Sequence, residues 1–322
     1  MRRRLWWNLL SRDRREGEDY GVENGGNSLI LESDVRLPLN IDDADLHPGM
    51  TDLPEARAGF TSVSLSLVNI ELARAISRLS TLLEASSPSS PPSEEDRAAI
   101  LEEAKKSVEW CQKSCNLVIP QQLLVYTFTG FLLRKLHFIS KLQFTLARHG
   151  GGDAVPPADF ATEENLAEAL EILVAYSGDD RLRQFVWVNR AYPQYHVTTY
   201  ILWHLCLNPR GPCVERAWAA VDAIFSNEIH DGATIGLGSK LSVVTALRTK
   251  AMDVRIKSQG QNASGGVDNP QEAHTRDTSV SEFLPVPDPD GPEADSFVDE
   301  EWPNWTTLAQ GLQFDSSGLL PL

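Results

Sequence analysis

From Val63 to Leu83 the apolar residues Val63, Leu67, Ile70, Leu72, Ala73, Ile76, Leu79 and Leu83 recur mostly at steps of three and four. That spacing gathers side chains on one face of an α-helix. The period returns along the chain. Ser93 reads as an N-cap ahead of Glu94, Glu95 and Asp96, whose charges suit the positive end of a helix running towards Trp110 and Cys111. The stretch "QQLLVYTFTGFLLRKLHFISKLQFTLARHG" follows Pro120 and stops at glycines, long enough for about eight turns. Further helices are expected at 162–176, 182–190, 195–207, 214–226 and 239–256. No stretch alternates convincingly at period two, so the expected fold class is all-α.

Three segments interrupt this pattern. "ASSPSSPPS" (85–93) and "RHGGGDAVPPAD" (148–159) are rich in glycine, proline and serine and read as loops. "SQGQNASGGVDNPQEAHTRDTSVS" (258–281) is nearly free of large apolar residues. The expected organisation is a multi-helix domain over 1–257, a flexible linker over 258–281 and a disordered acidic tail over 282–322. The net charge is −16, and from Ser281 to Leu322 there are nine carboxylates and no lysine or arginine. That balance argues against a general affinity for nucleic acid. Four cysteines in 322 residues make no disulfide framework and read as reduced intracellular thiols. The apolar stretch Leu5 to Leu10 is too short for a signal core. The run "LLVYTFTGFLL" falls short of the ~20 residues a membrane helix needs, so no membrane partner is expected.

The opening stretch, "RRRLWWNLLSRDRREGEDYGV", sets six arginines against two adjacent tryptophans. Leu5, Trp6, Leu9 and Leu10 share one helical face, and Arg12 with Glu16, Arg14 with Glu18 and Arg15 with Asp19 are spaced to pair. Pairing cancels much of the positive charge, and the acids break the pattern of a mitochondrial presequence. The stretch therefore reads as a core helix, with Trp6 and Leu9 on its buried face.

The candidates for chemistry are few. "NIDDADL" contains Asp42, Asp43 and Asp45, a cluster of the kind all-α isoprenoid synthases use to hold magnesium diphosphate. It follows Pro38 outside any helical run and has no second metal motif, so a solvated acidic cluster at a helix start is the simpler reading. His196 and His204 are about 80° apart on one helix and form no tight two-ligand site. His137 fits a hydrogen-bonded core or rim position. No Cys-x2-Cys pair, phosphate-binding loop or Gly-x-Ser-x-Gly elbow occurs, and nothing calls for a cofactor.

The tail interleaves acid with Phe283, Phe297, Trp302, Trp305, Leu308, Leu312 and Phe314. Amphipathic disordered activation segments have this composition. Trp302, Trp305, Leu308 and Leu312 are the expected contacts to transcription machinery or a coactivator. An inert solubilising tail, or one docked back onto the helical domain, is the alternative.

Four pieces resemble a known family in order along the chain. They are the opening stretch, "VRLPLNIDDADLHPGM" (35–50), "FTSVSLSLVNIELARAISRL" (60–79) and "VWVNRAYPQYHVTTYILWHLCLNPRGPCVERAWAAVDAIF" (186–225). They resemble the middle regulatory domain of fungal zinc-cluster transcription factors, in particular regulators of secondary-metabolite gene clusters. The resemblance implies a nuclear, helical, non-catalytic regulatory block, with Trp6, Trp7 and Leu9 in its motif core. It also implies that the six-cysteine zinc cluster lies upstream of Met1, so that Met1 is an internal start and this chain meets DNA only indirectly or through a missing region. Pairing with related regulators, as a homo- or hetero-dimer, is the implied assembly. A shortened modulator acting on a full-length relative is the runner-up, and a magnesium enzyme using Asp42, Asp43 and Asp45 stands third.

Overall fold

The computed structural model describes residues 2–10, 30–87, 89–149, 159–174, 180–185, 194–226 and 238–263. Among these residues the fold is all-α and no strand occurs. The helices are α1 (2–10), α2 (Ser64–Glu84), α3 (Glu94–Ser114), α4 (Pro120–Arg148), α5 (Glu163–Val174), α6 (Tyr195–Leu207), α7 (Val214–Ile224) and α8 (Gly238–Ala263). No described helix is long and apolar enough to cross a membrane.

Local chemistry sets the ends. Ser93 Oγ accepts the Asp96 N–H at 3.1 Å, and three acids fill the first turn of α3. Pro120 opens α4, where its missing N–H costs nothing. Thr162 Oγ1 accepts the Asn165 N–H at the start of α5. Two boundaries differ from the sequence reading. The helix expected over 182–190 is a 3-10 turn at Asp180–Phe185, and 186–190 lie outside the described residues. The last helix runs beyond 256 to Ala263, into the expected linker. Arg210 donates to the Ser258 carbonyl at 2.8 Å and Ser258 Oγ to the Arg255 carbonyl at 2.8 Å. Those bonds hold a turn that composition alone reads as loop.

Helices α2, α3 and α4 pack as one layer, and α5, α7 and α8 pack around α6 as a second. Every residue of α6 from Tyr195 to Cys206 is buried, as expected for a helix enclosed on all sides. Helix α4 carries Phe128, Phe131, Leu136, Phe138, Ile139, Leu142 and Phe144 inward and joins the layers. The joint is aromatic. Phe138 meets Tyr200 edge-on at 5.1 Å between centroids, and Phe160 lies 5.4 Å from Tyr200 and 4.7 Å from Trp203. Tyr200 Oη donates to the Phe160 carbonyl at 2.9 Å, which anchors the segment entering α5.

Two substitutions test this joint. Trp203→Ala removes a fully buried side chain and should cost about 3–5 kcal/mol in urea unfolding. Tyr200→Phe keeps the ring and removes one of two donors to the Phe160 carbonyl, which still accepts Asn165 Nδ2 at 2.9 Å, an expected loss of about 0.5–1.5 kcal/mol.

Candidate functional site

Two of the features singled out in the sequence, the tryptophan pair and the aspartate cluster, meet at α1. Trp7 is 2% exposed and packs with Ile30 and with Ile70 and Ala73 of α2, flanked by Leu10, Leu31 and Leu37. Its Nε1 donates to the Arg36 carbonyl at 3.3 Å. Trp6 and Leu9, expected in the core, are instead 44% and 56% exposed, and Leu5 is 62% exposed. Trp6 Nε1 donates to Ser33 Oγ at 3.0 Å.

A charged residue sets that rotation. Arg4 turns inward, with Nη2 donating to the Ile41 carbonyl at 2.9 Å and Nη1 to Asp43 Oδ1. At about 100° per residue, seating Arg4 places Trp7 inward beside it and Leu5 and Leu9 outward. Apolar periodicity assigns the opposite face because it gives arginine no inward role. The pairs Arg12–Glu16, Arg14–Glu18 and Arg15–Asp19 lie outside the described residues, as do Trp302, Trp305, Leu308 and Leu312.

The aspartate cluster is the floor of the same site. Arg57 donates to Asp42 Oδ2 at 2.9 Å and to Asp45 Oδ1. Asp42 Oδ1 accepts the Ser62 N–H at 2.8 Å, and Asp45 Oδ2 accepts the Asp42 N–H at 2.9 Å. Every oxygen of Asp42 and Asp45 therefore has a protein donor. The Arg57 hydrogen bond holds the Asp45 carboxyl below its ordinary value, and burial only partly opposes it. Asn40, unremarked in the sequence, is the hub. Its Nδ2 donates to the carbonyls of Arg57 at 2.7 Å and Gly59 at 2.8 Å, and its Oδ1 accepts Thr61 Oγ1 at 2.6 Å and Ser64 Oγ at 3.2 Å. Those bonds fold the loop between Asp45 and α2 so that Arg57 faces the carboxylates.

This clasp is closed by the chain's own donors and does not resemble a magnesium site. A metal would have to displace two guanidinium groups. Among the described residues no group of three or more His, Cys, Asp or Glu is placed to hold a metal ion. The cysteines are free thiols, and burial pushes Cys111 and Cys206 up to about 12, far from reactive thiolates. His196 and His204 are buried within α6, and burial lowers the pKa of His204. His137 lies exposed on α4, at the rim.

This helical domain is similar to proteins named as transcription factors and a transcriptional regulator. The chain is 24% identical over 245 residues to the pyriculol/pyriculariol biosynthesis cluster transcription factor 1 of Pyricularia oryzae, covering 70% of this chain and 31% of that protein. It is 22% identical over 233 residues to the aurofusarin cluster transcription factor aurR2 of Gibberella zeae, covering 70% and 34%. It is 24% identical over 245 residues to the transcriptional regulator AacuB of Aspergillus aculeatus, covering 72% and 32%. The chain thus spans about a third of the length of these curated relatives. No family model and no solved structure matches.

The geometry yields two tests. Trp7→Ala should cost about 3–5 kcal/mol, whereas Trp6→Ala, on the exposed side, should cost under about 1 kcal/mol. Equal losses would contradict the observed rotation of α1. The second test is titration. Asp45 stays charged to a lower pH in the folded chain than in the unfolded one. Its stabilisation is therefore present above the ordinary value of 3.8 and is lost as pH falls through the folded value. Arg57→Gln should lower the thermal midpoint near neutrality, and the difference should shrink as the pH falls below 3.8. Magnesium should raise the midpoint of neither protein, and a rise abolished by Asp42→Ala would restore the metal reading.

Proposed function

We propose that the chain is a transcription regulator of a fungal secondary-metabolite gene cluster. The observation that carries this is the similarity of some 70% of the chain to proteins named as cluster transcription factors. In this reading the helical domain over 1–257, α1 included, is the regulatory block of a nuclear protein, and the acidic aromatic tail contacts transcription machinery or a coactivator. The tail's composition supports that contact. Leu308 and Leu312 are four apart and Trp305 is three before Leu308, so a short helix would present all three to a partner's groove. The carboxylates disfavour collapse and speed encounter with basic surfaces.

Deleting the gene in its host tests the regulatory role. Transcripts of a contiguous set of biosynthetic genes should fall together, and an unchanged transcriptome under producing conditions would contradict the reading. The tail is tested by fusing residues 281–322 to an unrelated DNA-binding domain ahead of a reporter. The fusion should activate, and Trp302→Ala/Trp305→Ala should remove most of the activity. A silent, well-expressed wild-type fusion would reduce the tail to a solubilising extension.

A further inference from the structure

The rotation that buries Trp7 leaves a stripe on the other side of α1. Arg2, Leu5, Trp6 and Leu9 fall within an arc of about 100°, and all four are exposed. Residues 2–10 hold three arginines and no carboxylate. Two other exposed apolar sets differ in character. Leu117, Val118 and Ile119 form the turn before α4, and no arginine lies between Cys115 and Gln122. Met252 and Ile256 lie on α8, where Arg248 is paired with Asp222 and Arg255 with Glu215.

One segment of this chain has the complementary character. Asp299, Glu300 and Glu301 precede Trp302, Trp305, Leu308 and Leu312, and no lysine or arginine follows Arg276. Elsewhere the tail meets a like-charged body. Outside the tail 29 basic residues face 36 acidic ones, the latter being the 45 of the whole chain less the nine of the tail. Reach is no obstacle. Residues 264–301 number 38, which extended span on the order of 125 Å, against a domain radius of gyration of roughly 18 Å.

We infer that the segment Asp299–Leu312 docks on the Arg2–Leu9 face of α1 in the same chain, side by side and parallel. Parallel alignment sets the three carboxylates against Arg2 and Arg3 and the tail's aromatics against Leu5, Trp6 and Leu9. Three positions separate Trp6 from Leu9 and Trp305 from Leu308, so with Pro303 opening a helix in the tail and the carboxylates just before it, both pairs span about 5 Å. The antiparallel alternative puts the carboxylates beyond Leu10, where residues 11–19 carry three arginines against four acids. The stripe alone buries too little to hold a tight dimer, while a tethered segment needs only weak contacts because its effective concentration is high. Docking covers the same tryptophans that the proposed coactivator contact uses, so the two compete. The docking itself rests on the two complementary surfaces and not on that reading, since a tail can dock without activating or activate without docking.

Amide hydrogen exchange of the full chain, followed by mass spectrometry, tests this. Peptides within 302–314 should exchange at least about ten-fold more slowly in the wild type than in Leu5→Glu/Leu9→Glu. Peptides from α2 to α8 should be unchanged, because both leucines are exposed. Raising salt from about 0.05 M to about 0.5 M should speed exchange of the tail. Met252→Glu/Ile256→Glu should leave its protection intact. The inference fails if the wild-type tail exchanges as a free peptide or if charges at Leu5 and Leu9 have no effect. It fails equally if the α8 variant releases the tail, or if protection fades on dilution, which would mark a contact between copies.

Discussion

The enclosure of α6 is the constraint on which the rest of the structure depends. A helix whose residues from Tyr195 to Cys206 are all buried cannot satisfy its side chains against water. Its neighbours must therefore cover it on every side. Helices α5, α7 and α8 supply most of that cover, and α4 closes it by bringing Phe138 against Tyr200. The Tyr200 hydroxyl then fixes the Phe160 carbonyl, which sets where α5 begins. Asn165 Nδ2 donates to the same carbonyl at 2.9 Å, so that the entry to α5 is held from α6 and from α5 itself.

The glycine at 211 shows how tightly the second layer closes. A Cβ there would collide with the Glu163 carboxylate, so the turn between α6 and α7 passes directly over the start of α5. Nearby, Asn208 Nδ2 donates to the Ala161 carbonyl at 2.6 Å. Both contacts tie the exit of α6 to the entry of α5, and neither is made by an apolar side chain. Polar contacts of this kind add to the apolar core that holds the layer together.

Most of the fold was legible in the sequence because burial imposes a period. The three-and-four spacing of α2, Ser93 before three acids, and Pro120 at the head of α4 each state a local rule that tertiary packing obeys. The candidate site was legible only in part. The tryptophan pair marked α1, but which ring turns inward depends on Arg4 finding Ile41 and Asp43, residues 37 and 39 positions away. Asn40 and Arg57 carried no motif at all. Their roles arise from a loop conformation, and no periodicity encodes that. The aspartates drew notice for the wrong reason, because a cluster of acids looks alike on paper whether its partners are metal ions or arginines.

Function follows the same division. The bundle interior holds the buried thiols of Cys111 and Cys206 and the buried His196 and His204, while α1 presents an exposed apolar stripe. The proposed regulatory role rests on surfaces that a stable bundle presents. That account requires the two helical layers to be one cooperative body, with α6 as its last element to open. Native-state hydrogen exchange across a urea series measures this directly. The account predicts that the slowest amides lie in α6 and the facing half of α4 and share one opening free energy, equal to that of global unfolding. Amides of α2–α4 opening together at a separate and lower free energy than those of α5–α8 would show two independent units, and would contradict it.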